Sequence, residues 1–175
     1  MNVFPYEEPE FGFFPYDPTI SAFAETIEGK LAAHFPGCTV AHVGSTAIPG
    51  MPGKNSINIM VALPREAFPS AIESLEDLGF GAHPTNSEPD DRPVRVGMVS
   101  DGTIRRAVHV KVVEALSRNH LDSLFFGEYL RAHPDDAERY ASLKKSLFEK
   151  GSTPYEYAVA KQPFIMEVIS KRTDQ

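Results

Sequence analysis

Five glycines and prolines (Gly44, Pro49, Gly50, Pro52 and Gly53) fall within the eleven residues from Gly44 to Lys54. No helix or ladder of regular strand bonds tolerates that density, so the segment must be loop. Strand-like runs flank it. Cys38–Val43 precedes it, and in Asn55–Leu63 the residues Ile57, Ile59, Val61 and Leu63 alternate with Ser56, Asn58, Met60 and Ala62. The period of two puts the first set on one face of a sheet and the second set on the other. A chain built around this segment needs a sheet with a long, irregular loop between two of its strands.

The remaining punctuation extends the pattern. Pro5, Pro9 and Pro15 make residues 1–17 an extended lead-in. Its aromatics, Phe4, Tyr6, Phe11, Phe13, Phe14 and Tyr16, are too many to leave in water and are expected to pack as a strap. Asp17 and Pro18 suit a helix start, and Ile20, Phe23, Ile27 and Leu31 follow at helical spacing toward His34. A second helix is expected over Pro64–Leu78 and a short strand over Phe80–His83, followed by a polar loop over Pro84–Arg92. Pro93–Val99 and Ile104–Val113 flank Ser100-Asp101-Gly102-Thr103, a hairpin turn signal. Three helices, Arg118–Ala132, Pro134–Glu149 and Pro154–Lys171, close the chain. The fold class is therefore mixed α/β (α+β), a mixed sheet flanked by helices, with one domain expected across all 175 residues.

Composition narrows the function. Seventeen basic against 24 acidic residues give a net charge of −7, which disfavours nucleic acid and anionic membranes unless basic residues cluster locally. The one cysteine, Cys38, excludes an internal disulfide framework or a cysteine zinc cage, and reads as core. The acidic, proline-rich start does not read as a signal peptide, and no run approaches the ~20 apolar residues of a membrane span. The expected compartment is the cytoplasm. The six histidines show no metal-ligand spacing, and neither a Walker loop nor a dinucleotide fingerprint is present.

Gly44-Ser45-Thr46, directly after a strand, fits either an ordinary polar turn or a seat of backbone N–H groups and hydroxyls for an anion. The stretch from Arg92 to Arg118 carries Arg92, Arg95, Arg105, Arg106, Lys111 and Arg118 against Asp101 and Glu114. It reads equally as an anion-binding face or as a solvated hairpin edge. Lys161, beside Tyr157, Phe164 and Ile165 on the apolar side of the last helix, is either a pocket residue or the partner of a buried carboxylate.

The run His42-Val-Gly-Ser-Thr-Ala-Ile-Pro-Gly-Met-Pro-Gly-Lys54, followed by Ile57-Asn-Ile-Met60, resembles the signature segment of the GrpB family. Tyr16-Asp17-Pro18, Phe126-Gly-Glu-Tyr-Leu-Arg-Ala-His-Pro134, Tyr140-Ala-Ser-Leu-Lys144, Tyr157 and Lys161 resemble its other motifs. The resemblance covers Tyr16 to Ile169 and implies a nucleotidyltransferase-like fold with a C-terminal helical block. In that superfamily Gly-Ser holds a triphosphate, and carboxylates on two later strands hold Mg²⁺ ions that steady the attacking and leaving oxygens. Here the first carboxylate position is Asn58 and the second is Met60, while Arg105, Ala107, His109 and Lys111 share the face of the later strand. Phe126-Gly127-Glu128-Tyr129 stands where the family commonly has Phe-Arg-Asp-Tyr.

The resemblance thus implies a binder of a small phosphorylated ligand or nucleotide with degraded metal-dependent catalysis, no bound metal and no certain cofactor. The expected ligand-binding residues are Gly44, Ser45, Thr46, Lys54, Asn58, His109, Lys111 and Lys161. Asn58 and His109 are expected to face one depression with Gly44-Ser45 at its rim. Two alternatives stand beside this reading. One is an active Mg²⁺-dependent nucleotidyltransferase drawing on Glu114 or Glu128; the other is a module for an unknown protein partner with a vestigial pocket.

Overall fold

A computed structural model describes residues 2–84 and 89–172. In chain order the elements are β1 (Asn2–Phe4), α1 (Thr19–His34), β2 (Thr39–Val43), β3 (Ile57–Leu63), α2 (Phe68–Asp77), β4 (Gly81–Ala82), β5 (Val94–Ser100) and β6 (Arg105–Glu114). The helices α3 (Arg118–Ala132), α4 (Pro134–Glu149), α5 (Pro154–Ala160) and α6 (Gln162–Ile169) follow. Short 3₁₀ turns at Ser45–Ala47 and Arg65–Ala67 punctuate the chain after β2 and before α2.

The sheet runs β1-β5-β6-β3-β2, with β4 pairing β5 as well. Only the β3–β6 pair is parallel; the others are antiparallel. The sheet is mixed, as expected. One face carries Ile57, Ile59, Val61 and Leu63 of β3, Val108, Val110 and Val112 of β6 and Val99 of β5, packed under α1 and α2. Eight such side chains, each contributing roughly 1.5–3 kcal/mol on burial, lock the register of the central strands. A slip of one residue would drive Asn58 and His109 into this core. The opposite face is smaller: Val43, Met60, Ala62 and Val113 pack with Leu124 of α3. Beyond them α3, α4 and α6 form their own cluster around Phe126, Leu130, Tyr140, Phe164 and Val168, into which Ile48 and Met51 of the glycine-proline loop insert.

Several boundaries depart from the expectations. Within the extended lead-in, residues 2–4 add a strand that was not expected, zipped antiparallel to β5 from Asn2↔Ser100 to Phe4↔Met98. Three residues next to a proline carry too little periodicity to announce a strand; the edge of β5 supplies the template. The rest of the lead-in does form a strap. Tyr6 rests on His83 and His109, Phe11 on Phe148 and Tyr157, and Phe14 closes a two-bond bridge with Gly53 at 2.8 and 2.9 Å. Asp17 lies one residue before the N-cap of α1, and its Oδ1 accepts from the Thr19 N–H at 2.9 Å.

The last expected helix is two helices, broken at Lys161-Gln162, because Pro163 has no N–H to continue the ladder. The α5 start is a capping box in which Thr153 and Glu156 bond each other's backbone N–H groups. The expected loop over Pro84–Arg92 lies partly outside the described residues, at 85–88.

Candidate functional site

β2, β3 and β6 lie side by side and carry Val43, Asn58 and His109 in one row across the sheet. Asn58 and His109 face the side opposite the main core, where the C-terminal helices leave a cavity of about 550 Å³. Gly44 and Ser45 line it where β2 ends. Gly44 takes φ 77°, a left-handed conformation that glycine adopts freely and side chains resist. An added Cβ would stand in ordinary contact, 3.5 Å from the Asn58 Nδ2, so it is the backbone angle rather than space that favours glycine here.

The expected residues divide clearly. Gly44, Ser45, Lys54, Asn58, His109, Lys111 and Lys161 line the cavity. Thr46 does not. Its side chain is buried, with its hydroxyl 2.9 Å from the His42 Nε2 and donating to the Ser56 carbonyl at 3.2 Å. The 3₁₀ turn that begins at Ser45 rotates the next side chain inward, so Thr46 ties the loop to the start of β3 instead of facing a ligand. Burial and the Arg131 charge push His42 down to about 4, which keeps that ring neutral.

The basic stretch is split by the sheet. Arg92, Lys111 and Arg118 reach the cavity. Arg95 pairs with Glu76 at 2.8 Å, Arg106 with Asp17 at 2.5 Å, and Arg105 lies over the Phe4 ring at 4.0 Å. Three of the six are therefore scaffold and three belong to the site.

Five cations thus line one cavity: Lys54, Arg92, Lys111, Arg118 and Lys161. Among the described residues its one lining acid is Asp122, which is held by Arg172 at 2.9 Å. Lys161 lies over the Tyr157 ring at 4.5 Å and forms no ion pair among the described residues. Burial first, then the charges of Lys54 and Lys111, push its amine down to about 8. Lys54 and Lys111 are lowered too, each mainly by burial; Arg92 adds to the effect at Lys111, while Glu8 opposes it at Lys54. Arg92 and Arg118 are exposed, but Lys54, Lys111 and Lys161 are drawn out of water with only Glu8 acting against the cost, at Lys54, and an anion would relieve it.

One cation escaped the sequence reading. Lys144 of α4 is 1% exposed, and its amine donates to the Pro52 carbonyl beneath the loop. A Cβ on Gly53 would meet Lys144 Nζ at 3.3 Å and Ser45 Oγ at 3.8 Å, so the amine and the hydroxyl converge over that glycine. Burial, then Lys161, push Lys144 down to about 7. Lys144 stands in the Tyr140-Ala-Ser-Leu-Lys144 motif, four residues after Tyr140 and four before Phe148, but a lysine on a helix ordinarily marks a solvated face.

Mg²⁺ does not fit the residues present. Asn58 offers a neutral amide, Met60 is buried in the small cluster, and His109 and Lys111 stand opposite them on β6. A hard cation takes carboxylate oxygens, and here it would meet amide, imidazole and ammonium groups. Glu114, exposed at the end of β6, and Glu128, exposed on α3, do not line the cavity. Among the described residues no group of three or more His, Cys, Asp or Glu could hold a metal ion.

A second groove of about 580 Å³ lies on the other face, between α1 and the β5–β6 hairpin. It is lined by Phe23, Ile27 and Val99, with Lys30 and Asp101 as its charges, and lacks the convergence of like charge seen in the first.

The arrangement of strand, Gly-Ser turn and paired central strands places the chain in the nucleotidyltransferase-like fold class. The Cid1 poly(U) polymerase with MgGTP bound shares the fold at a TM-score of 0.52 and 11% identity, over 75% of this chain and 42% of that one. Within the class the family is specific. The sequence profile of the GrpB protein family matches residues 12–171, and the chain belongs to that family. The crystal structure of conserved protein GrpB from Enterococcus faecalis superposes at a TM-score of 0.71 with 22% identity, over 91% of this chain and 96% of that one. UPF0157 protein PA4798 of Pseudomonas aeruginosa is 32% identical over 90% of this chain, and UPF0157 protein SCO7215 of Streptomyces coelicolor 33% over 75%. The matches span 65% and 67% of those relatives' own lengths. No helix among the described residues is long and apolar enough to cross a membrane.

Proposed function

We propose that this chain binds a small phosphorylated ligand, a nucleotide among the candidates, through protein cations rather than a protein-held metal. The observation that carries the reading is the set of lysines Lys54, Lys111 and Lys161 in one cavity with Gly44-Ser45, all lowered in pKa and none in an ion pair among the described residues. Phosphate oxygens supply the counter-charge this cluster lacks, and the open backbone at Gly44 admits them closely. The fold relative Cid1 holds MgGTP, which supports a nucleotide as the ligand type. In this chain Asn58 and Met60 replace the carboxylates such chemistry needs, so two-metal nucleotidyl transfer is degraded.

Calorimetric titration of ATP and GTP, each with and without Mg²⁺, tests the proposal. Binding should persist without the ion and weaken with salt, because it rests on charge. Pyrophosphate release strictly dependent on Mg²⁺ and proportional to purified protein would replace this reading with the active enzyme.

A further inference from the structure

One lining side chain is not accounted for by charge. His109 stands in register with Asn58 on the cavity floor. Burial, followed by the charges of Lys111, His83 and Lys54, pushes its pKa down to about 4, so the ring is neutral at neutral pH. A neutral imidazole brings no charge to an anion, only a single N–H to donate. Neither ring nitrogen makes a hydrogen bond among the described residues, and Nε2 is fully buried. Nδ1 is the less enclosed nitrogen, since it is not among the fully buried atoms without a partner. Tyr6 meets the ring edge-on at 5.6 Å and His83 lies 6.0 Å away, so the ring plane is held by its neighbours.

Building on the anion-binding reading of the same cavity, we infer that His109 is the acceptor in a metal-free phosphoryl transfer whose donor is a phosphoanhydride, such as the terminal phosphate of a nucleoside triphosphate. In the first step the Nδ1 lone pair forms a bond to the terminal phosphorus. The bridging P–O bond breaks, its electron pair leaves on the diphosphate oxygen, and Nε2 keeps its proton. Lys54 and Lys161 hold the charge that develops on the leaving group, as fixed cations do in other phosphoryl transfers. In the second step water attacks the phosphorus, the N–P bond breaks with its pair returning to Nδ1, and the proton of water leaves with inorganic phosphate. The sum is anhydride plus water giving diphosphate plus phosphate, with nothing oxidised or reduced. Protonated imidazole has no lone pair to offer, and burial, joined by the cations around it, keeps His109 in the form that does.

The test uses the purified full chain, EDTA, and ATP labelled either at the γ- or at the α-phosphate. Label from the γ-position should be stable to alkali, labile to acid, and located on His109 by mass spectrometry; label from the α-position should be absent. His109→Gln should lose the label, with circular dichroism reporting whether it folds. Mapping the label on the unmodified chain does not depend on that variant. Measurable ATP binding without γ-label, α-label, or label on another residue each overturns the inference while the binding reading stands. Absence of ATP binding defeats both.

Discussion

Lys144 keeps an amine in the interior with no ion pair among the described residues, bonded to the Pro52 carbonyl and 4.9 Å from the centre of the Tyr140 ring. Its pKa falls from 10.5 to about 7 on folding, through burial and then Lys161. The unfolded chain keeps that amine protonated up to 10.5, so between the two values the unfolded state binds about one proton more. Stability therefore rises with pH across that window, at ~1.4 kcal/mol per unit from this residue. Below the folded value both states are protonated and the slope vanishes. There the folded protein carries the whole penalty, roughly 3–5 kcal/mol. Lys144→Met removes the charge, keeps much of the stem's shape, and leaves the Pro52 carbonyl without its donor at about 1–3 kcal/mol.

The variant should thus be more stable than the parent by ~1–3 kcal/mol at pH 6, with the advantage shrinking as the pH rises and gone near pH 9. Urea unfolding at pH 6, 7, 8 and 9, compared at equal m-value, reads the difference directly. A parent that is more stable than the variant by the same margin at every pH would show that Lys144 is paired, and would refute the uncompensated cation.

Three further outcomes follow from the same geometry. Lys161→Met should weaken ATP binding by at least about tenfold, ~1.4 kcal/mol, with little change in the urea midpoint, because Lys161 lines the cavity and pairs with no carboxylate among the described residues; a lowered midpoint with intact binding would mark it as structural. Asn58→Asp should make ATP binding respond to Mg²⁺ in calorimetry, yet release no pyrophosphate, since Met60 provides no second carboxylate. Glu8 sits 3.6 Å from His83 and its charge acts on Lys54, so Glu8→Gln should raise ATP affinity roughly two- to fivefold at low salt, an advantage that fades as salt screens exposed charge.

The central strands were legible because both faces of β3 are written in the chain: isoleucine, valine and leucine at every second position, and Asn58 among the others. Gly44 was legible for a related reason, since a glycine between a strand and a proline-rich loop marks a place where backbone must turn or approach closely. Thr46 was misplaced because a 3₁₀ turn sends adjacent side chains in different directions, and sequence spacing does not record the rotation. Arg95, Arg105 and Arg106 looked like Arg92 and Arg118 for want of partners that only the fold supplies, namely Glu76, Phe4 and Asp17. Lys144 stayed hidden because burial of a lysine runs against every expectation from composition. The nearby break at Pro163 was in plain view, but the run of apolar residues on both sides outweighed it.

The most direct measurement of the central claim is a crystal structure of the chain grown with ATP in the presence of EDTA. Phosphate density beside Gly44 and Ser45, within hydrogen-bond reach of Lys54 and Lys161, is the expected result. Density for the phosphates elsewhere, such as the groove between α1 and the β5–β6 hairpin, would contradict it. So would a cavity that fills only when Mg²⁺ is restored and then shows the ion on Asn58.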